Sequence, residues 1–171
     1  MLTLILFRHA KAEPASPGIE DIDRPLAPRG RTDAPRLGAF LATENLVPDL
    51  ILCSPSRRTR ETLELAVPAF GAVIATREEP AIYEASMARL LSVIRRTPAG
   101  VHRLMLVGHN PGFEELALDL ARTADKDAAA RLDKKYPTAG LAVLTFEMDT
   151  WAKVTARTGN LTHFTAPRYL H

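Results

Sequence analysis

Three short segments carry the residue types that could do chemistry, and each follows an apolar run. Arg8-His9 follows Leu2-Thr-Leu-Ile-Leu-Phe7, Ser54-Pro-Ser-Arg-Arg58 follows Leu50-Ile-Leu-Cys53, and Gly108-His109-Asn-Pro-Gly112 follows Arg103-Leu-Met-Leu-Val107. If the runs are parallel neighbours, two histidines and at least two arginines converge on one rim. Phosphoryl transfer calls for such a set. Arginine forks match the oxygens of a tetrahedral phosphate and offset the charge spread over them in the transition state. A neutral imidazole can attack phosphorus and form a covalent intermediate. A second imidazole can donate to the equatorial oxygens, and free amides opening the helices after Ser54 and Asn110 add a favourable dipole.

Those side chains need a scaffold. A short, almost wholly apolar run reads as a strand buried on both faces, as in the middle of a parallel sheet, and such sheets bind ligands beyond the carboxyl ends of their strands. After the first strand, 11–24 reads as a loop. A helix follows to about Glu44, and Pro35 suggests that it becomes regular only near Thr32 or Asp33, with the proline in its first turn. Leu46 to Cys53 gives a turn and a second strand. Ser54 as N-cap and Pro55 at the first helical position predict a helix to about Val67.

Ala72–Ala75 reads as a third short strand. Met87, Leu90, Leu91 and Ile94 stand at helical spacing within a helix from Ser86 to Thr97. A fourth strand at 103–108 leads into a helix with Phe113, Leu116, Ala117 and Leu120 inward. The segment 123–135 reads as a loop or short exposed helix. Gly140–Glu147 and Lys153–Arg157 read as a hairpin at a sheet edge. Strand and helix alternate through most of the chain. The expected fold is α/β: one domain over 1–171, a three-layer α/β/α sandwich with a mostly parallel central sheet and an antiparallel edge hairpin.

Composition narrows the function classes. With 46% hydrophobic and 25% charged residues the 171-residue chain has the profile of a globular protein with a sizeable core. A formal net charge of +2, with dispersed basic residues, is too mild to argue for nucleic acid. Arg57 and Arg60 read as a solvated face, with Glu61 and Glu64 nearby and no interleaved aromatics. Apolar runs fall well short of the ~18 to 20 residues of a membrane helix, and the six-residue apolar start precedes its positive charges, the reverse of a secretory signal. A single cysteine, Cys53, permits no internal disulfide and suits a reducing compartment, so a cytoplasmic location is expected.

Other chemistries fit less well. A cysteine phosphatase places five residues between its cysteine and arginine, whereas the sixth position after Cys53 is Thr59. Cys53 ends a buried strand, where cysteine behaves as a small hydrophobe. Neither a His-x-x-x-His pair nor a cysteine cluster is present, and arginines around the pocket would repel a cation, so no metal or other cofactor is expected. Gly-His-Asn-Pro-Gly lacks the Gly-Lys-Ser/Thr ending of a Walker loop. A histidine standing alone after a strand is more often structural than catalytic; His102, His163 and His171 have no setting comparable to that of His9 and read as structural or exposed. Arg8 beside His9, with the other segments in register, argues the opposite for His9.

Taken together, Leu-Phe-Arg8-His9-Ala10, Asp23-Arg24-Pro-Leu26 with Arg29-Gly30, Ser54-Pro-Ser-Arg-Arg58-Thr-Arg-Glu-Thr62 and Leu106-Val-Gly-His109-Asn-Pro-Gly112 resemble the histidine phosphatase superfamily (phosphoglycerate-mutase-like). Within it they resemble the short SixA-like phosphohistidine phosphatases. The pieces come in family order and spacing over residues 1 to about 120, and Pro137-Thr-Ala-Gly-Leu-Ala142 is similar to the short subgroup. The resemblance implies that His9 is the phosphorylated nucleophile and that Arg8, Arg58 and His109 complete the phosphate pocket. It selects Arg58 over Arg57, four residues after the serine and four before the threonine. It assigns Arg24 a place reaching the phosphate from the loop. Ala10 departs from the superfamily's more frequent glycine.

Larger members supply a glutamate after the third strand as general acid. Here Glu84 is the nearest candidate, with Glu78, Glu79 and Asp21 competing. The function expected is a metal-independent phosphatase working through a phospho-His9 intermediate, with phosphohistidine on a protein as substrate. A small-molecule phosphomonoester phosphatase is the alternative, and a non-catalytic phosphate-binding module a third reading. The expected partner is accordingly a phosphorylated protein or a small phosphoester, with neither nucleic acid nor membrane involved.

Overall fold

Strand β1 (Leu2–Arg8) lies inside the sheet, as its unbroken apolar run requires, with Leu2 and Leu4 to Phe7 buried. The computed structural model describes residues 1–171. After β1 come α1 (Pro28–Thr43), β2 (Leu50–Cys53), α2 (Arg57–Ala66), β3 (Ala75–Glu78), α3 (Met87–Arg95), β4 (Arg103–Gly108) and α4 (Gly112–Leu120). The chain then forms β5 (Ala121–Ala124), α5 (Lys126–Lys134), β6 (Leu141–Phe146) and β7 (Gly159–Thr165). The seven strands form one sheet in the order β3-β2-β4-β1-β6-β7-β5. Only β6 runs against the others, pairing antiparallel with β1 and β7, while the remaining pairs are parallel.

Alternation along the strands divides the core in two. Leu4 and Leu6 of β1, Leu104 and Leu106 of β4, and Leu144 of β6 face α3, α4 and α5. Ile5, Phe7, Met105, Val107 and Val143 face α1 and α2. The result is the expected three-layer α/β sandwich. Gly38 sits where a Cβ would lie 2.2 Å from the Ala66 carbonyl, so glycine allows α1 and α2 to approach closely. No helix is long and apolar enough to cross a membrane.

Several boundaries differ from the sequence reading. Helix α1 begins at Pro28, so Pro35 lies inside it rather than in its first turn. Proline interrupts one main-chain bond there, at a cost of about 3 kcal/mol. It sits on the exposed side, while the opposite face, Gly30, Asp33, Ala34, Leu37, Gly38 and Leu41, is buried. Burial of that face outweighs the interruption. Helix α2 is capped by Ser56, whose hydroxyl accepts from the Thr59 N–H, and not by Ser54, which is turned to another partner.

The third strand forms at Ala75–Glu78, beyond the expected Ala72–Ala75, and all four of its residues are exposed. It is an edge strand placed by main-chain pairing with β2, so apolar Val73 is left fully exposed in the preceding loop. Residues 121–135 supply β5 as well as α5. The partner of β6 is Gly159–Thr165 rather than Lys153–Arg157, of which Lys153 closes a 3-10 helix at Trp151–Lys153 and Ala156 and Arg157 form a turn. Here β5 takes the outermost position beside β7.

Candidate active site

The carboxyl ends of β1, β2 and β4 share one rim because β1 pairs with β4 and β4 with β2, all parallel, with Arg8 opposite Gly108 and Cys53 opposite Val107. The residue after each strand therefore emerges next to its counterpart. His9 and His109 stand with ring centroids 5.4 Å apart. Arg58 enters from the first turn of α2, buried apart from 6% of its surface, while Arg57 and Arg60 point to solvent. Arg8, His9, Arg24, Arg58, Glu84 and His109 line one cavity of about 330 Å³, together with Lys11, Ala12, Tyr83, Asn110 and Thr138.

His9 is held on several sides. Its N–H donates to the Gly108 carbonyl at 3.0 Å, and its carbonyl accepts from the Ala139 N–H at 2.9 Å. Its ring Nδ1 lies 2.7 Å from the Ala10 carbonyl oxygen. A carbonyl only accepts, so Nδ1 carries the hydrogen and Nε2 keeps its lone pair. The Ala10 N–H donates to Thr62 Oγ1, which donates in turn to the Arg58 carbonyl, tying the turn after β1 to α2. Gly30 packs against this turn so closely that a Cβ would stand 2.2 Å from the Lys11 carbonyl oxygen.

The two pocket arginines are anchored from behind. Arg8 Nη1 donates to the Tyr136 carbonyl at 2.7 Å, which also accepts from Asn110 Nδ2. Arg58 gives both terminal nitrogens to Asp21, Nη1 to its carbonyl at 2.7 Å and Nη2 to its carboxylate at 3.1 Å. With those groups engaged, the Nε atoms of both arginines are buried and without a partner, as is that of Arg103 at the far end of β4. A buried charged donor without an acceptor is costly. Arg8 and Arg58 nevertheless place two guanidinium charges beside the same cavity, which favours an oxyanion there.

Burial sets the charge state of the histidines. It pushes His9 down to about 4, and the positive charges of Arg58, Arg8 and Arg24 push in the same direction. His109 is lowered to about 3, first by burial and then by His9 and Arg58. Both rings are therefore neutral at physiological pH, the state a nucleophile needs. Cys53 is buried and its thiol is pushed up to about 12, chiefly by burial, so no thiolate forms there.

The carboxyl groups fall into distinct places. Asp21 accepts from Arg24 Nε at 3.0 Å, from Arg58 and from the Tyr83 hydroxyl, and the Tyr83 bond, ahead of the arginines, holds its carboxyl at about 2. It is a clasp joining the loop, α2 and the segment before α3. An anion so held is no proton donor at neutral pH. Glu79 pairs with Arg96 at 3.8 Å, and Glu78 is exposed on the edge strand; neither lines the cavity. Glu84 does, exposed at the rim with its backbone in the left-handed region at φ 54°. Arg24 reaches back to the Glu13 carbonyl as well as to Asp21, so it fastens the loop while lining the cavity.

Three contributors show no sign of their role in the sequence, and a fourth, Asp21, looks there like a candidate acid. Tyr136 is buried and matters through its carbonyl, which no side-chain pattern announces; its only signal is its place before Pro137-Thr-Ala-Gly140. Ser54 and Thr62 stand inside a recognised segment, where Ser54 reads as an N-cap and Thr62 only marks the spacing, and neither reading gives the bonds they make. Asp21 stands three residues before Arg24, a spacing suited to the ion pair it forms.

The comparisons with known proteins agree with this geometry. The family model described as the histidine phosphatase superfamily (branch 1) matches residues 4–92, which contain Arg8, His9, Arg24, Arg58 and Glu84 and stop short of His109. The chain is 38% identical to the uncharacterized protein Rv1276c of Mycobacterium tuberculosis over 164 residues, 94% of this chain and 99% of the relative. It is similar to the crystal structure of a candidate phosphohistidine phosphatase SixA from Agrobacterium tumefaciens, with TM-score 0.80, 34% identity and coverage of 97% and 98% of the two chains. A second candidate phosphohistidine phosphatase SixA, from Nakamurella multipartitia, gives TM-score 0.82 and 27% identity over 97% and 96%. A family match taking in both β1 and the arginine helix, with relatives aligned along nearly the whole chain, places this chain in the histidine phosphatase superfamily: it is a SixA-like phosphatase.

Proposed function

We propose that the chain hydrolyses phosphohistidine on a protein, through a phosphoryl group carried transiently on His9. One observation supports this above the rest: an imidazole whose Nδ1–H is committed to a carbonyl, leaving Nε2 free, stands beside two guanidiniums anchored from behind. His9 Nε2 attacks phosphorus, the P–N bond to the substrate imidazole breaks, and the departing nitrogen takes a proton. Water then attacks phospho-His9, and orthophosphate and free His9 result. Arg8, Arg58 and His109 hold the phosphoryl oxygens through both steps, and Arg24 adds charge from the loop. Glu84, the carboxyl lining the cavity, is the proposed proton donor.

The positive charge that this transition state requires comes from the arginines, so the reaction proceeds without a divalent cation. The phosphoryl-bearing partner is a folded protein whose side chain enters the open cavity, and the single buried thiol suits the cytoplasm. The cavity's size favours a second reading. About 330 Å³ falls at the lower end of small-ligand pockets, and a small phosphomonoester would fit it.

Phosphate release measured with EDTA present, from a phosphohistidine protein and from a panel of small phosphoesters, separates these readings. Fast turnover of phosphohistidine, abolished in His9→Ala, is the expected result. Activity confined to one small ester would replace the substrate and keep the mechanism, whereas uptake of phosphate without turnover of any substrate would overturn the enzymatic reading.

A further inference from the structure

We infer that Ser54 is a positioning residue: its hydroxyl donates to Nε2 of His109, which places the hydrogen of that neutral ring on Nδ1, the nitrogen left to meet a phosphoryl oxygen. The inference rests on the proposed role of His109 and adds to it the device that makes the ring a donor.

The bond is 2.8 Å long and its direction follows from counting donors. Ser54 is wholly buried. Its Oγ has two partners, the Ser56 N–H at 3.4 Å and His109 Nε2. The first is a donor, so Oγ accepts there. The hydroxyl hydrogen then has a single acceptor within reach, the lone pair of Nε2. The opposite arrangement, Nε2–H donating to Oγ, would leave that hydrogen buried without an acceptor, which proteins avoid. A neutral imidazole has one N–H, so an Nε2 that accepts requires Nδ1–H.

The consequence reaches the reacting atoms. His109 Nδ1 has no partner in the protein, and its ring lines the cavity 5.4 Å from that of His9. With the hydrogen on Nδ1 the ring donates to a phosphoryl oxygen. With a bare lone pair there it would repel one. The two histidines thus use opposite tautomers for opposite tasks. The Ala10 carbonyl draws the hydrogen to Nδ1 of His9 and frees Nε2 to attack, while the Ser54 hydroxyl occupies Nε2 of His109 and leaves Nδ1–H to bind. Ser54 itself is fixed from both ends: its N–H donates to Val107 and its carbonyl accepts from Thr59 Oγ1.

Long-range proton–nitrogen NMR on 15N-histidine-labelled full-length protein at neutral pH reads both ring nitrogens directly. The expected spectrum of the wild type shows protonated Nδ1 and unprotonated Nε2 at His109, retained when tungstate is added. In Ser54→Ala the Nε2 lone pair loses its donor, so its 15N signal is expected to move downfield toward that of an unbonded imidazole nitrogen, with roughly 10- to 100-fold lower kcat/KM, less than the ~10²–10³ for outright removal of an oxyanion donor. Ser54→Thr, which keeps the hydroxyl, is expected to restore both. A wild-type His109 with Nε2–H would overturn the inference, and that reading survives even if a variant fails to fold. So would a Ser54→Ala protein whose His109 Nε2 signal does not move. Failure of the proposed function is a separate signal: no phosphoryl group on His9 whatever the tautomer of His109.

Discussion

Lowering the pH should remove the stability that the neutral state of His9 contributes. The ring is buried, with 8% of its surface exposed, and burial together with Arg58, Arg8 and Arg24 lowers it from 6.5 to about 4. The unfolded chain takes up this proton near pH 6.5 and the folded protein only near 4, so the unfolded state binds more protons throughout that window. Stability contributed by the neutral ring is complete above pH 6.5 and is lost as the pH falls toward 4. At 1.36 kcal/mol per pH unit, the full loss is about 3 kcal/mol and the loss at pH 5 about 2 kcal/mol. Against a total of ~5–15 kcal/mol for a typical domain, that is measurable.

Urea unfolding of the wild type and of His9→Gln at pH 7, 6, 5 and 4.5 provides the assay. The wild type is expected to lose about 2 kcal/mol more than the variant between pH 7 and 5. Proton–carbon NMR of the His9 ring in the folded protein supplies a direct control. Parallel stability curves, or a His9 ring titrating near 6.5, would refute the argument that burial beside the arginines keeps it neutral.

Asp21→Asn removes the carboxylate that accepts from Tyr83, Arg58 and Arg24; the Tyr83 hydroxyl, raised to about 12 by burial and by Asp21, is expected to titrate closer to 10, read from tyrosinate absorbance against a Tyr83→Phe control. Gly30→Ala would bring a Cβ against the Lys11 carbonyl, and a loss of about 1–3 kcal/mol in urea unfolding is expected, with activity reduced because the turn after His9 must shift; an unchanged midpoint would contradict the close packing. Cys53, buried with its thiol raised to about 12, is expected to resist a thiol-reactive disulfide reagent at pH 8 until the protein unfolds, with no loss of phosphatase activity.

The sequence carried the strands that matter for the site and the residues at their ends. Runs such as Leu4–Phe7 and Leu104–Val107 are apolar because both faces of the central sheet are covered, so their positions could be read from composition alone. Peripheral elements were harder to place. At β3 all four residues are exposed and main-chain pairing with β2 decides where the strand lies, which leaves no hydrophobic signal. Helix α1 begins earlier than its proline suggests, because burial of the Gly30–Leu41 face outweighs a local rule.

The site divided in the same way. His9, Arg8, Arg58 and His109 announce themselves by type and by position after a strand. Their supports act through groups that side-chain chemistry does not advertise. The Tyr136 carbonyl behind Arg8 and the Ala10 carbonyl on His9 are main-chain atoms. Asp21, which looks like a candidate acid by type, serves as an anionic clasp because Tyr83, Arg58 and Arg24 all converge on it.

A covalent phosphoryl group on His9 is the claim on which the mechanism depends. Rapid mixing with a 32P-labelled phosphohistidine protein in EDTA, an alkaline quench within milliseconds and peptide mapping would read it. An acid-labile, alkali-stable label on the peptide containing His9, formed and lost at rates compatible with turnover and absent from His9→Ala, is the predicted result. Steady turnover with no label on His9, and with His9→Ala still active, would contradict the account.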